Sequence, residues 1–221
     1  MKLTIVGATG GVGGLAVRQS VAAGHQVTAV ARNPAKLPAD VRRVAADLAA
    51  PDLDALRAAV RGADAVLCCI GPRSKAEIGI VASGTAAIIA AMQAEGVGRV
   101  VVISAAPVST LPSPARPSPP RHDPGDGFLM RQLGVRVTRM VFRNQYADLA
   151  LMEDALRASD LQWTIVRPPR LTDKAFTGRY RTAIGRNVRG GVSVSRADLA
   201  DAMLRAAAQP ETIRASVGVA N

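Results

Sequence analysis

Residues 2–14 read KLTIVGATGGVGG, and this stretch decides the fold. Its apolar part, residues 3–6, is rich in β-branched side chains, which is typical of a strand buried on both faces of a parallel sheet. Glycines follow at Gly7, Gly10 and Gly13, and the next residues continue as a helix with one apolar face. Strand, glycine-rich turn and helix in immediate succession predict a dinucleotide-binding unit.

Each position of this turn has a physical reason. Gly7 lets the chain turn sharply, Gly10 removes a Cβ where a pyrophosphate approaches the backbone, and Gly13 lets the helix pack closely. The helix start offers free N–H groups and a partial positive charge to phosphates, and the Thr9 hydroxyl adds a donor. We therefore expect the pyrophosphate to be held by Gly7, Thr9, Gly10, Gly11, Val12 and Gly13.

Length and composition set the class of protein. The chain has 221 residues, enough for one domain with a small appendage, and 48% of them are hydrophobic, which is typical of a globular protein. Only 3% are aromatic, so the core must consist of Ala, Val, Leu and Ile, as in a parallel sheet covered on both faces.

The net charge is +11, with 24 arginines and four lysines. Such a balance suits either nucleic acid or an anionic ligand. No basic run exceeds two residues, and few aromatic side chains are present to stack on bases. The pattern favours a basic surface with an anionic ligand in one cleft and argues against nucleic acid as the partner.

The cysteines and the hydropathy of the chain indicate the cellular compartment of the protein. Cys68 and Cys69 are adjacent, which is unsuited to an ordinary disulfide, and no spacing typical of metal ligands is present. We interpret both as small buried hydrophobes in a reducing compartment. The first apolar run is too short for a signal peptide, and residues 80–94 are too few for a membrane span. We expect a cytoplasmic protein that does not enter the membrane.

The second strand, predicted at 26–31, ends at Arg32. In a dinucleotide fold this position faces the adenosine ribose, where an acidic residue binds the 2′-hydroxyl of NAD and an arginine accepts the 2′-phosphate of NADP. Lys36 follows Arg32 closely, and no acidic residue occurs before Asp40. The sequence therefore favours NADP(H).

A third strand is predicted at 41–46 and is followed by Asp47 and Leu48. Asp47 is placed to accept a hydrogen bond from the adenine amine, and Leu48 to cover the ring. An aspartate here is equally suited to capping the helix that begins near Asp52. Both interpretations of Asp47 remain open on the sequence.

Helices at 53–60 and 80–94 alternate with strands at 64–70 and 99–103. Five successive β–α units predict a doubly wound parallel sheet, an α/β Rossmann fold. Ligands bind at the carboxyl ends of such strands. Ile70 and Gly71 lie there and are expected under the ribose and nicotinamide, with Ser104 facing the second substrate.

The remaining chain predicts one domain, 1–221, with a small C-terminal extension and substrate-side insertions at about 105–135 and 168–190. Seven of the fourteen prolines lie in 107–124, a loop that is either a substrate lid or a mobile excursion. Further predicted elements are a short helix at 128–133, an undecided strand or helix at 135–140, a helix at 144–157, a sixth strand at 162–167, a short strand at 191–194, a helix at 196–208 capped by Ser195, and an edge strand at 212–219.

Six segments resemble a known family: GATGGVG at 7–13, VARNP at 30–34, AADL at 45–48, VISA at 102–105, SDLQWTIVRPPRLTD at 159–173 and SRADLA at 195–200. Together they resemble atypical short-chain dehydrogenase/reductases, the NAD(P)-binding proteins near biliverdin reductase B (flavin reductase) and the extended epimerase/dehydrogenases. The resemblance covers nearly the whole chain. It implies a Rossmann fold and places Ser104 at the position of the family serine.

The chain departs from the wider family at the catalytic pair. Typical members use Tyr-x-x-x-Lys, in which the lysine lowers the tyrosine pKa for proton transfer. Here Tyr146 is followed four positions later by Ala150, and Tyr180 by Ile184. Ser104 and Tyr146 are the candidate catalytic residues that face the acceptor, but neither replaces the pair.

Two functions fit this departure. One is NADPH-dependent hydride transfer to a small-molecule conjugated acceptor, such as a flavin or quinone, which delocalises the developing charge so that water supplies the proton. The other is a redox sensor that binds NADP(H) without turnover, as in regulators of the same fold.

Overall fold

The computed structural model describes residues 1–71, 77–126 and 143–221. Within these ranges the strands are β1 (Lys2–Val6), β2 (Gln26–Ala31), β3 (Arg42–Ala45), β4 (Ala65–Cys68), β5 (Arg99–Ile103), β6 (Gln162–Arg167), β7 (Arg170–Thr172), β8 (Arg181–Ile184), β9 (Ser193–Ser195) and β10 (Ala215–Ala220). The α-helices are α1 (Gly11–Ala22), α2 (Leu53–Val60), α3 (Ile80–Ala94), α4 (Arg143–Ala158) and α5 (Arg196–Ala208).

Eight of these strands form the main sheet in the order β3-β2-β1-β4-β5-β6-β10-β8. All neighbours pair in parallel except β10 and β8, which are antiparallel. The chain order reverses between β1 and β4, where doubly wound sheets bind their ligands. The predicted Rossmann fold is confirmed.

The helices cover both faces of the sheet. α1 and α5 pack together on one face, while α2, α3 and α4 pack on the other. Strand side chains alternate between the two cores, so that Ile5 enters the first and Val6 the second. Both cores consist mainly of Ala, Val, Leu and Ile, as the composition predicts. No helix in the described part of the chain combines the length and apolar character needed to span a membrane.

The prediction of five successive β–α units is wrong between β2 and β3. Only one 3₁₀ turn, Pro34–Lys36, joins these strands, and the Asn33 side chain caps it by accepting from Ala35 N at 3.1 Å. The connection is short and contains Pro34 and Pro38, which restrict helix formation. The chain therefore crosses directly to the sheet edge.

The predicted edge strand at 212–219 is also wrong in its position. β10 lies between β6 and β8, and Val217, Val219 and Ala220 are at most 4% exposed. The edge belongs to β8, whose sequence RTAI carries too few apolar residues to be recognised. β7 and the later strand, observed as β9, form a separate two-stranded parallel sheet.

The proline-rich loop is fixed to the body of the protein at its end. The buried Asp123 carboxylate accepts hydrogen bonds from the Gly125 and Asn187 backbone N–H groups, each at 2.8 Å. The Asn187 amide donates in turn to Ala106 O at 3.3 Å. These contacts join the two predicted insertions. The predicted elements at 128–133 and 135–140 lie outside the described residues.

Candidate active site

The glycine-rich turn is packed against its own backbone. Gly7 has a φ of +76°, and a Cβ there would lie 2.6 Å from the Cys69 carbonyl oxygen. A Cβ at Gly10 would lie 3.1 Å from the Gly7 carbonyl oxygen, and one at Gly13 would collide with that same carbonyl. Gly10 N donates to Gly7 O at 2.9 Å. Gly10 and Gly13 thus make the turn compact.

The N-terminus of α1 opens onto the cleft. Gly10 is the N-cap residue and supplies no side-chain cap, so the first N–H groups of the helix point out of its end. A Cβ at Gly11 would lie 2.9 Å from Cδ of Arg196, the first residue of α5. The Arg196 guanidinium is held there by Asp173, with 2.6 Å between Nη1 and Oδ1. The helix end therefore combines N–H donors with a nearby cation.

A cleft of about 690 Å³ runs along the carboxyl ends of the strands. This volume is typical of small-molecule sites. Its wall brings together the glycine turn, the end of β2, the end of β5 and the first turns of α4: Thr9, Gly10, Gly11, Val12, Arg32, Asn33, Lys36, Cys69, Ile70, Gly71, Val81, Ile103, Ser104, Gln145, Tyr146, Leu149, Leu171 and Arg196. A smaller pocket of about 80 Å³ adjoins it and is also lined by Gly7, Ala46, Leu48 and Glu77.

Arg32 forms an ion pair that the sequence does not reveal. Its Nη1 donates to Oε1 of Glu77 at 2.8 Å, and the two side chains are 38% and 20% exposed. Both residues line the smaller pocket. The end of β2 therefore carries an arginine and a carboxylate together, although no acidic residue follows closely in sequence.

Asp47 and Leu48 have different environments. The exposed Asp47 carboxylate accepts a hydrogen bond from Ala49 N at 3.0 Å, while α2 is capped by Asp52. The capping role considered for Asp47 therefore belongs to Asp52. Leu48 is buried against α3, with its Cβ 3.1 Å from the Cβ position of Gly84, and lines the smaller pocket. Leu48 thus forms part of the apolar floor of this pocket.

Ser104 is buried and its hydroxyl is engaged within the protein. Its Oγ donates to Oε1 of Glu153 at 2.6 Å. Glu153 is fully buried and also binds the guanidinium groups of Arg167, at 2.6 and 2.9 Å, and Arg157, at 2.6 Å. Burial alone would raise the Glu153 pKa, but these hydrogen bonds and charges outweigh it and lower the pKa. Ser104 therefore presents an acceptor, rather than a proton, to the cleft.

Tyr146 lines the same cleft from the first turn of α4. Burial raises its pKa, which is opposite to the effect of a lysine partner. α4 is fixed by Asp148, whose carboxylate accepts from the N–H groups of Gly79, Val81 and Ala82 at 2.9 to 3.2 Å. Asp148 thus caps α3 from a neighbouring helix and sets the position of Tyr146 beside it.

The two cysteines behave as predicted from their neighbours in sequence. Both are buried and have free thiols, and burial raises the pKa of Cys68 to about 12 and that of Cys69 further. Such thiols are poor nucleophiles at neutral pH. Cys69 lines the cleft next to the glycine turn and Cys68 lies in the core on the opposite face of the sheet, so both thiols serve packing.

Sequence reasoning missed two charged residues of the site, Glu77 and Arg196. Arg196 lies within the segment SRADLA, but the sequence indicated only its place at a helix start. Glu77 lies 45 residues from its partner Arg32, and no local pattern connects the two. Leu149 and Leu171 lie in segments that the sequence did place near the site, but their inward orientation depends on the packing of α4 and β7.

Residues 7–210 match a family described as NAD(P)H-binding, and the chain belongs to that family. The fold is shared by many solved structures, among them the following three. The oxidoreductase ylbE from Lactococcus lactis is 21% identical, with a TM-score of 0.79 over 100% of this chain and 91% of that one. ChuY, an anaerobillin reductase from Escherichia coli O157:H7, is 22% identical, with a TM-score of 0.74 over 99% and 97%. A short-chain dehydrogenase/reductase of wide type from Veillonella parvula, in complex with NADP, is 20% identical, with a TM-score of 0.74 over 100% and 94%.

Curated relatives match a smaller part of the chain. A protein of Mycobacterium tuberculosis is 33% identical over 105 residues, which make up 47% of this chain. The match spans only 12% of the length of that relative.

The family match and the solved structures thus establish an NAD(P)H-binding Rossmann protein and confirm the resemblance drawn from the six sequence segments.

Proposed function

We propose that this chain is an NADPH-dependent oxidoreductase that transfers hydride to a conjugated small-molecule acceptor such as a flavin or a quinone. The observation that carries this proposal is the continuity of the cleft, which extends from the glycine turn to Ser104 and Tyr146. Its far end has an apolar wall formed by Ile103, Leu149 and Leu171. Such a wall suits a flat, apolar ring system.

The residues that line the cleft fit the pyrophosphate and the 2′-phosphate of NADP(H). N–H groups at the start of α1 are directed at the position of a pyrophosphate, and Arg196 adds a positive charge beside Gly11. Arg32 and Lys36 line the end at which a 2′-phosphate would be read. In this arrangement Leu48 packs against the adenine. Ile70 and Gly71 lie under the ribose and the nicotinamide. When bound, reduced nicotinamide supplies the hydride.

The proton need not come from a side chain of the site. Ser104 donates its hydroxyl proton to Glu153, and burial raises the Tyr146 pKa. In the proposed reaction a C–H bond of the reduced cofactor breaks, the hydride pair forms a new bond on the acceptor, and water supplies a proton. A conjugated acceptor spreads the developing negative charge and makes a strong acid unnecessary. Two proteins of the same fold, the oxidoreductase from Lactococcus lactis and the anaerobillin reductase from Escherichia coli, support this class of reaction.

Replacement of Tyr146 by phenylalanine is expected to leave turnover within about threefold of wild type, since general acid catalysis typically contributes about 100-fold or more when present. The measurement is the rate of NADPH consumption with a flavin or quinone. A loss of 100-fold or more with unchanged cofactor binding would show that Tyr146 supplies the proton.

Replacement of Arg32 by aspartate is expected to reduce the preference for NADPH over NADH by about tenfold or more, because a charge-assisted hydrogen bond contributes roughly 1.5–3 kcal/mol. Titration of both cofactors, followed by nicotinamide fluorescence, measures this change. Arg42→Asp is the matched control, since Arg42 lies at the amino end of the adjacent strand β3, away from the cleft at the carboxyl ends, and its Nη2 donates to Ala58 O. An unchanged preference in Arg32→Asp would refute the assignment of the 2′-phosphate site.

A further inference from the structure

The ion pair between Arg32 and Glu77 lies at the end of β2, in the smaller pocket beside the glycine turn. Arg32 follows β2, and Glu77 reaches it from the segment that precedes α3, with 2.8 Å between Nη1 and Oε1. Neither side chain is fully buried, and both line the pocket at the adenosine end. A ligand entering this pocket therefore meets an arginine that already has a carboxylate partner.

The carboxylate changes what this pocket recognises. A 2′-phosphate must share Arg32 with Glu77 and approach a like charge, which opposes its binding. A ribose 2′-hydroxyl can instead donate a hydrogen bond to a carboxylate, which is how acidic residues recognise NAD. Lys36 lines the neighbouring cleft. A positive charge therefore remains near the end of β2 even though Glu77 pairs with Arg32.

We infer that Glu77 is a specificity-determining residue. Its carboxylate restrains Arg32 and thereby reduces the preference of the chain for nucleotides with a 2′-phosphate over nucleotides without one. This inference rests on the proposed function, because it assumes that the adenosine end of the cofactor occupies this pocket. Arg32 alone favours the phosphate, and Glu77 offsets part of that preference. The preference for NADPH over NADH is therefore smaller than Arg32 alone would give.

The test is direct binding, independent of turnover. Adenosine 2′,5′-bisphosphate and 5′-AMP differ by the 2′-phosphate alone, and their dissociation constants are measured by calorimetry on the full chain. Glu77→Gln is expected to tighten binding of the bisphosphate by about two- to fivefold, as is typical for removing one partly exposed competing charge, and to leave binding of 5′-AMP unchanged or weaker. Glu95→Gln is the control, since Glu95 pairs with Arg57 and Arg61 and lines neither pocket of the site.

The same variant in an Arg32→Gln background shows how Glu77 acts. There the gain for the bisphosphate is expected to be much smaller, because the restrained arginine is gone. A gain as large as in wild type, or no gain in Glu77→Gln alone, would overturn the inference while leaving the cofactor site in place. Failure of the wild-type chain to bind either nucleotide would overturn both the inference and the proposed function.

Discussion

Replacement of Gly13 by alanine is expected to destabilise the protein by about 3 kcal/mol and to abolish cofactor binding. A Cβ at this position would collide with the Gly7 carbonyl, which is main chain and cannot rotate away. Gly7 is in turn held by the Val30 carbonyl and sits against Cys69. The added methyl group must therefore displace either the turn or the start of α1, and both form the proposed phosphate site.

Gly14→Ala is the matched control for this prediction. Gly14 is the next residue of the same helix, and a Cβ there would make only an ordinary contact, 3.5 Å from the Ala8 carbonyl oxygen. Alanine is favoured over glycine inside a helix by about 1 kcal/mol, and Gly14→Ala should keep or raise stability. Thermal unfolding should separate the two variants by roughly 6–12 °C. Equal behaviour of the two variants would contradict the packing of the turn.

Removal of the Glu153 side chain is expected to be comparably damaging. Glu153→Ala leaves the guanidinium of Arg167, whose side chain is 6% exposed, without its carboxylate, and it also removes the acceptor of the Ser104 proton. Loss of one partner from a buried pair typically destabilises by about 3–5 kcal/mol. Asp54→Ala removes a carboxylate that is 93% exposed and 3.6 Å from Arg57, and it should change stability by less than about 1 kcal/mol. Urea unfolding at neutral pH measures both variants.

The pH dependence of the Glu153 effect follows from the direction of its pKa shift. Because folding lowers this pKa, the stabilisation is fully present above the ordinary carboxyl value of about 4.3 and is lost as the pH falls through the native value. The difference in unfolding free energy between wild type and Glu153→Ala should therefore shrink below about pH 4. A difference that stays constant down to pH 3 would show that ionised Glu153 is not the source of the stability.

Elements with a strong local signal were predictable. The bounds predicted for α2, α3, α5, β5 and β6 agree with the structure, because each has a clear apolar period and a defined end. Ser195 accepts from Asp198 N at 2.9 Å and caps α5 as predicted, and Gly96, with φ +67°, ends α3. The first six strands take the order β3-β2-β1-β4-β5-β6, as in the predicted Rossmann fold.

Elements set by tertiary contacts were not predictable. β8 becomes a strand only because β10 pairs with it, and the β10 sequence does not show which neighbours it has. Glu77 meets Arg32 across 45 residues, and Ser104 meets Glu153 across 49. These two pairs change the chemistry expected from Arg32 and Ser104. The sequence thus predicted where the candidate site lies, and the fold determined the contacts of its charged and hydroxyl groups.

The most direct test of the proposed function is the loss of NADPH absorbance when the purified chain is mixed with a panel of flavins, quinones and redox dyes. NADPH binding is measured in the same samples by fluorescence. We expect acceptor-dependent consumption of NADPH that persists in Tyr146→Phe and falls in Arg32→Asp. Tight binding of oxidised and reduced cofactor without turnover on any acceptor would contradict the proposed function and would favour a redox sensor.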